Sequence, residues 1–237
     1  MRRYAASPMF ILIILIGVMA FMTAMRNDPL GWIMSKILIL PGIIVGLSFH
    51  EFAHAYAAVK LGDNTPRFQG RVTINPKAHF DVFGFACLLF AGFGWGVPVQ
   101  IDPRNFKHRR RDEFIVSIAG VTMNFILAIV FAGILKLLFT VAPAFMMGTL
   151  GSVIIDVFMG VITINIILML FNLLPIPPLD GFNIVAEIFN LKRTRLYWQI
   201  YQHGFLILMA CILLDITDKI LNPLFAMVYS FIMGIFF

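Results

Sequence analysis

Ile37-Leu38-Ile39-Leu40-Pro41-Gly42-Ile43-Ile44-Val45-Gly46-Leu47-Ser48-Phe49-His50-Glu51-Phe52-Ala53-His54-Ala55-Tyr56-Ala57-Ala58-Val59 is apolar almost throughout, yet it carries His50, Glu51 and His54. On a helix, His50 and His54 are one turn apart, about 6 Å along the axis, and point the same way. Two imidazoles so placed converge on one metal ion. Glu51 projects beside them, within reach of a water at that metal. His-Glu-x-x-His is the signature of a zinc site with an adjacent general base. The stretch is also long enough to cross a bilayer. The alternative reading of the motif is a structural metal site or a polar helix contact.

The rest of the chain agrees with a membrane setting. Its 237 residues are 60% hydrophobic and only 13% charged, about half the charge of a soluble domain, and mean hydropathy is +0.92. Two cysteines, Cys87 and Cys211, exclude a disulfide scaffold. The net charge of +6 does not indicate a nucleic-acid binder, because the basic residues sort by membrane side. Six spans are expected: Pro8–Met25 (an uncleaved helix), Ile37–Val59, Phe114–Phe139, Val153–Leu174, Tyr197–Leu214 and Leu221–Phe237. Phe83–Val97 is apolar but short and carries Gly84, Gly92, Gly94 and Gly96, so it reads as a re-entrant or interfacial hairpin. In this arrangement fourteen of the 18 Lys and Arg residues face one side, against Arg26, Lys36, Lys136 and Lys219 on the other. That asymmetry makes the basic side cytoplasmic and predicts both termini there, in a multi-pass protein of the cell membrane. His50 and His54 then lie within the bilayer, nearer its cytoplasmic face. Within the loop 60–113, Phe68–Asn75 reads as a strand, since Arg71-Val72-Thr73-Ile74 alternates polar with apolar and Pro76 ends it. Val97–Ile101 is the expected partner in a short membrane-associated β-hairpin.

Two histidines leave a catalytic zinc short of a protein ligand. Asp180 stands where the fourth span breaks, after Asn172 and the prolines Pro175, Pro177 and Pro178. A carboxylate in that setting is costly unless a cation compensates it. Taken alone, Pro178-Leu179-Asp180-Gly181 reads equally as a turn whose aspartate caps the next helix. Asn124 and Asn172 read equally as interhelical hydrogen-bond formers.

Together, His50-Glu51-x-x-His54 and Asn172-x-x-Pro175-x-Pro177-x-x-Asp180-Gly181 resemble the site-2 protease family of intramembrane zinc metalloproteases. Gly70–Pro76, His79-x-Asp81, Gly96–Val99, Asn105-Phe106 and Ala119-Gly120-x-x-x-Asn124 resemble that family's intervening segments, in family order. Val121 and Val82 depart from it at positions where proline is common. The resemblance implies a bare catalytic core of bacterial or archaeal type, without PDZ or CBS domain: one domain over residues 1–237, all-α and polytopic. It implies one zinc ion per chain, held by His50, His54 and Asp180, with Glu51 as general base. The substrate would be a transmembrane segment of another protein, unwound because a helix hides its carbonyls. Asn172 would contact its backbone, and Val72, Thr73 and Ile74 would pair with it as an added strand. Gly120 and Asn124 would serve close packing. The rival classes are a divalent-metal transporter and a catalytically idle relative that only binds membrane partners. The single polar cluster, the lack of a repeat and the intact Glu51 speak against both.

Overall fold

The computed structural model describes residues 22–23, 28–91, 94 and 96–237. The expected span Pro8–Met25 lies outside these, apart from residues 22–23. Helix α1, Pro29–Lys60, carries the paired histidines. Asp28 Oδ1 accepts from Gly31 N–H at 3.0 Å and Pro29 opens the helix, which satisfies one terminal donor and presets φ. Gly62, at φ +110°, turns the chain just past the helix end. Helix α2 spans Val82–Ala91, α3 Arg109–Val141 and α4 Thr149–Asn172. They are followed by α5, Asp180–Ile188; α6, Arg195–Gln202; α7, Gly204–Leu213; and α8, Ile216–Phe236.

Helices α1, α3 and α4 pack against one another. Where α1 meets α4 their backbones nearly touch. A Cβ on Gly42 would lie 2.9 Å from Gly160 O, and one on Gly160 would lie 3.1 Å from Leu38 O. Small residues allow this approach, which van der Waals contact rewards in a bilayer where apolar burial does not. A second layer joins α3 and α4 to α8 through Val121, Ala128, Leu135, Ile162, Ile166 and Ile232.

Among the described residues, four helices, α1, α3, α4 and α8, are long and apolar enough to cross a membrane, and a fifth span requires counting α6 and α7 as one. The structure does not support that fifth crossing. α6 and α7 meet at 59°, and Gly204 at the bend is pressed on Pro177, where a Cβ would lie 2.4 Å from Pro177 Cβ. Leu208 and Met209 then pack on Leu174 and Leu179, with Leu221 joining the same cluster. Asp218, Leu221 and Asn222 share a 280 Å³ cavity with Thr163, Ile167 and Leu170 of α4. So α7 turns back at the Asn172 end of α4, and α8 begins there. It finishes at the other end of the bundle. Phe236 lies against Gly133, the Phe237 ring is 6.1 Å from Phe139, and Lys136 Nζ sits 5.0 Å over Phe237. Phe237 therefore lies at the Phe139 end of the bundle and Arg109 at the other, which differs from the expectation that puts both on one face, because α7 packs back on Leu174 and Leu179.

The Phe83–Val97 segment does double back. Phe80 and Gly96 form an antiparallel bridge, Val97 N–H donates to His79 O at 2.7 Å, and a Cβ on Gly94 would collide with Gly84 O at 2.1 Å. The expected β-hairpin is a different matter, since no strand forms among the described residues. Thr65–Phe68 is a helical turn, and Gly70 has φ +68°. Arg71 N–H donates to Pro66 O, and Thr73 N–H to Arg71 O. Asn75 accepts from Lys77 N–H and opens a 3-10 turn, Pro76–Ala78. Local acceptors have taken the N–H donors of Phe68 to Arg71, Thr73 and Asn75, most of those that a strand at Phe68–Asn75 would offer to Val97–Ile101.

A buried aspartate joins this loop region to the end of α1. Asp63 accepts from Thr65 N–H, Thr65 Oγ1 and Asn105 Nδ2 on one oxygen and from Asp102 N–H on the other. Burial raises its carboxyl, but these hydrogen bonds outweigh burial and leave it below the usual carboxylate range.

Candidate metal centre

His50 and His54 are both buried, and each is oriented through Nδ1. His54 Nδ1 is 2.7 Å from Val116 O. A carbonyl only accepts, so Nδ1 carries the proton and Nε2 presents a lone pair. The His50 case takes three steps. Asn165 Nδ2 donates to Val161 O at 2.8 Å. Asn124 Nδ2 donates to Asn165 Oδ1 at 2.8 Å and to Gly46 O at 3.1 Å. Asn124 Oδ1 is thereby left to accept from His50 Nδ1 at 2.6 Å, and His50 Nε2 is also bare. Such outer partners set the tautomer and raise ligand basicity.

The two bare Nε2 atoms are 3.0 Å apart, in rings set edge to face at 84°. Asp180 Oδ2 lies 3.2 Å from both. That oxygen is buried and has no hydrogen bond. Three acceptor atoms facing one another repel unless a cation sits among them. Zinc–nitrogen bonds of about 2.0–2.1 Å in a tetrahedron place donors roughly 3.3 Å apart, close to the spacing seen. The donor set therefore fits zinc, and His50, His54 and Asp180 are the group with this convergence among the described residues.

Two glycines make the convergence possible. A Cβ on Gly120 would lie 2.4 Å from His54 Nε2 and 2.6 Å from His50 Cε1, so α3 leaves a gap that the imidazoles fill. A Cβ on Gly181 would lie 2.2 Å from Leu173 O, so the broken end of α4 can fold back and deliver Asp180. Asp180 is the first residue of α5 rather than its cap. The cap position is Leu179, and no side chain bonds there. The capping reading of Asp180 thus loses its physical basis.

Glu51 is half-buried, and its Oε2 accepts from Val99 N–H at 3.0 Å. The segment expected to pair with Val72–Ile74 instead touches the carboxylate beside the histidines. The bonds of the other expected site residues go elsewhere than to this trio. Asn172 Nδ2 donates to Leu168 O of its own helix. Thr73 O receives the imidazole of the fully buried His79 at 2.7 Å, Val72 is half-buried, and Ile74 is 51% exposed. The expected packing role of Gly120 and Asn124 understated them, since both touch a histidine. Asn165 escaped the sequence reading altogether, although a lone amide between Ile164 and Ile166 was a visible signal.

The model of Peptidase family M50 matches residues 38–153 and 141–214. A Bacillus subtilis protein named "Putative zinc metalloprotease YwhC" is 39% identical over 183 residues, 77% of this chain and 83% of the relative. Rip2 of Mycolicibacterium smegmatis, named in the same terms, is 30% identical over 233 residues, 95% of this chain and 86% of the relative. No solved structure matches significantly. The matched region runs through both histidines, the α3 face that supports them and Asp180, and the chain belongs to Peptidase family M50.

Proposed function

We propose that this chain is an intramembrane zinc metalloprotease that cleaves other proteins in or beside their transmembrane segments. The observation that carries the reading is the trio of bare ligand atoms 3.0–3.2 Å apart, set among helices long enough to span a bilayer. His50, His54 and Asp180 hold the ion, one per chain. Zinc bound there supplies Lewis acidity toward a water and a peptide carbonyl. Glu51 moves the protons. Val99 N–H holds Oε2, which leaves Oε1 to take a proton from the attacking water and return it to the leaving amine. The Nδ1 bonds to Asn124 Oδ1 and Val116 O keep His50 and His54 in the tautomer that ligation needs.

An extended substrate segment approaches over the Val72–Ile74 bend, with Ile74 exposed to meet it. Val72, Thr73 and Ile74 then become a strand only when a partner strand is present, the finer form of the β-hairpin expectation. Asn172 exchanges its bond to Leu168 O for the substrate backbone. The decisive experiment uses purified protein and a reporter bearing a membrane segment. Zinc-dependent cleavage in detergent, without zinc flux in liposomes, is expected. Flux without cleavage would replace the reading with a transporter. A photo-crosslinker at Ile74 should capture uncleaved reporter, and failure to do so removes the Val72–Ile74 contact.

The Arg109 end of the bundle is the cytoplasmic side in this reading, and the membrane is the cell membrane. The basic loop residues support it, and Lys219 joins them, because α8 starts beside the Asn172 end of α4. Cysteines placed at Ala144 and Phe237 are expected to label from outside the cell, and ones at Arg109 and Lys192 are not. Labelling of the second pair alone inverts the orientation.

A further inference from the structure

The three ligand side chains share one support. Helix α3 presents Glu113, Val116, Gly120 and Asn124 at intervals of three and four residues, one face of a helix. Val116 and Asn124 hold the histidines, and Gly120 makes room for them. The start of the same helix reaches α5, which Asp180 opens. Arg110 donates through Nε to Glu187 O and through Nη2 to Ile188 O, at the C-terminal end of α5. Lys192 Nζ bridges the carboxylates of Glu113 and Glu187. Arg109 Nε closes on Glu113 Oε1 at 2.8 Å. Glu113 and Glu187 are only 4% and 6% exposed. Burial alone lowers the Lys192 ammonium, but the two carboxylates outweigh burial and raise it above its ordinary value.

We propose that Glu113, Lys192 and Glu187 are a positioning cluster that holds Asp180 at ligating distance by setting the tilt of α5 against α3. The inference rests on the zinc reading of the trio. Helix α5 has nine residues, about 13 Å of length. Gly181 pins its first turn against the end of α4, so movement at Glu187 rotates Asp180 about that point. Without Lys192, two buried carboxylates face each other with no bridging cation, and their repulsion drives α5 away from α3.

The test loads Co(II) in place of zinc and reads its visible ligand-field spectrum and its affinity against a chelator. Lys192→Met is expected to weaken Co(II) binding about 10–100-fold, the usual loss for an outer-shell partner, and to shift the bands. Lys192→Arg should restore both. In an Asp180→Asn background Lys192→Met should add little, because both changes act through one ligand. Wild-type affinity and spectrum in Lys192→Met, or equal fold-losses in the two backgrounds, would overturn the proposal. Should Lys192→Met fail to fold, Arg110→Ala takes its place in the same cycle with the same expectation. Failure of the underlying zinc reading looks different: wild-type protein would not bind one Co(II) per chain, or Asp180→Asn would leave binding unchanged.

Discussion

Gly120→Ala is expected to strip the metal from the protein and with it the proteolysis, while the helical bundle stays folded. The new Cβ would stand 2.4 Å from His54 Nε2 and 2.6 Å from His50 Cε1, well inside any real carbon contact. The rings cannot retreat freely. Each is tied on its far side, His54 to Val116 O and His50 to Asn124 Oδ1. Relief requires breaking at least one of those bonds and turning an Nε2 away from Asp180. Losing one orienting bond alone costs about 10–100-fold in metal affinity, and displacing a ligand costs more. Overpacking adds a stability loss of about 1–3 kcal/mol, which a melting curve separates from the metal effect. Gly133→Ala is the control, because its Cβ would meet only the edge of Phe236 at 3.3 Å. Full zinc content and wild-type cleavage in Gly120→Ala would mean that α3 does not form the wall of the site.

Glu51→Gln should separate chemistry from binding. The substitution keeps the volume and an acceptor for Val99 N–H, so the local backbone should hold. It leaves His50, His54 and Asp180 untouched, and the variant should carry the same zinc as wild type. Turnover should fall by about 10²–10⁴-fold, the contribution typical of a positioned general base. A variant that binds zinc and substrate without cleaving is also a trap, and membrane peptides that accumulate with it identify the natural substrates. Cleavage close to the wild-type rate would move the base to another residue.

The histidine pair of the proposed metal centre was legible in the sequence because it is local. His50 and His54 are four residues apart on one helix, and periodicity alone aims them together. Asp180 was legible for a different reason, as a carboxylate at a proline-broken span end that needs a cation. The long apolar runs of α1, α3, α4 and α8 were equally plain, since length and composition decide what can cross a bilayer. The meeting of the two ends of Phe83–Val97 was legible too, from an apolar run too short to span and rich in glycine.

Tertiary structure decided the rest, wherever the outcome depends on which partner wins. The run 197–214 has the composition of a span, but Gly204 against Pro177 and Leu208 against Leu174 turn it back. Arg71–Ile74 has the alternation of a strand, but nearby carbonyls take the Arg71 and Thr73 donors first. Gly120 and Asn124 are small and polar residues of an ordinary apolar helix until α1 lies across them. Glu113, Glu187 and Lys192 are surface charges by composition, and only the approach of α5 to α3 buries them together. By itself the sequence determined what can be done along one helix: the pitch that pairs two histidines, the length that crosses a membrane, the proline break that frees a carboxylate. Only the tertiary structure decided the tautomers, the space at Gly120 and the place of Asp180, because each is a contact between helices far apart in the chain.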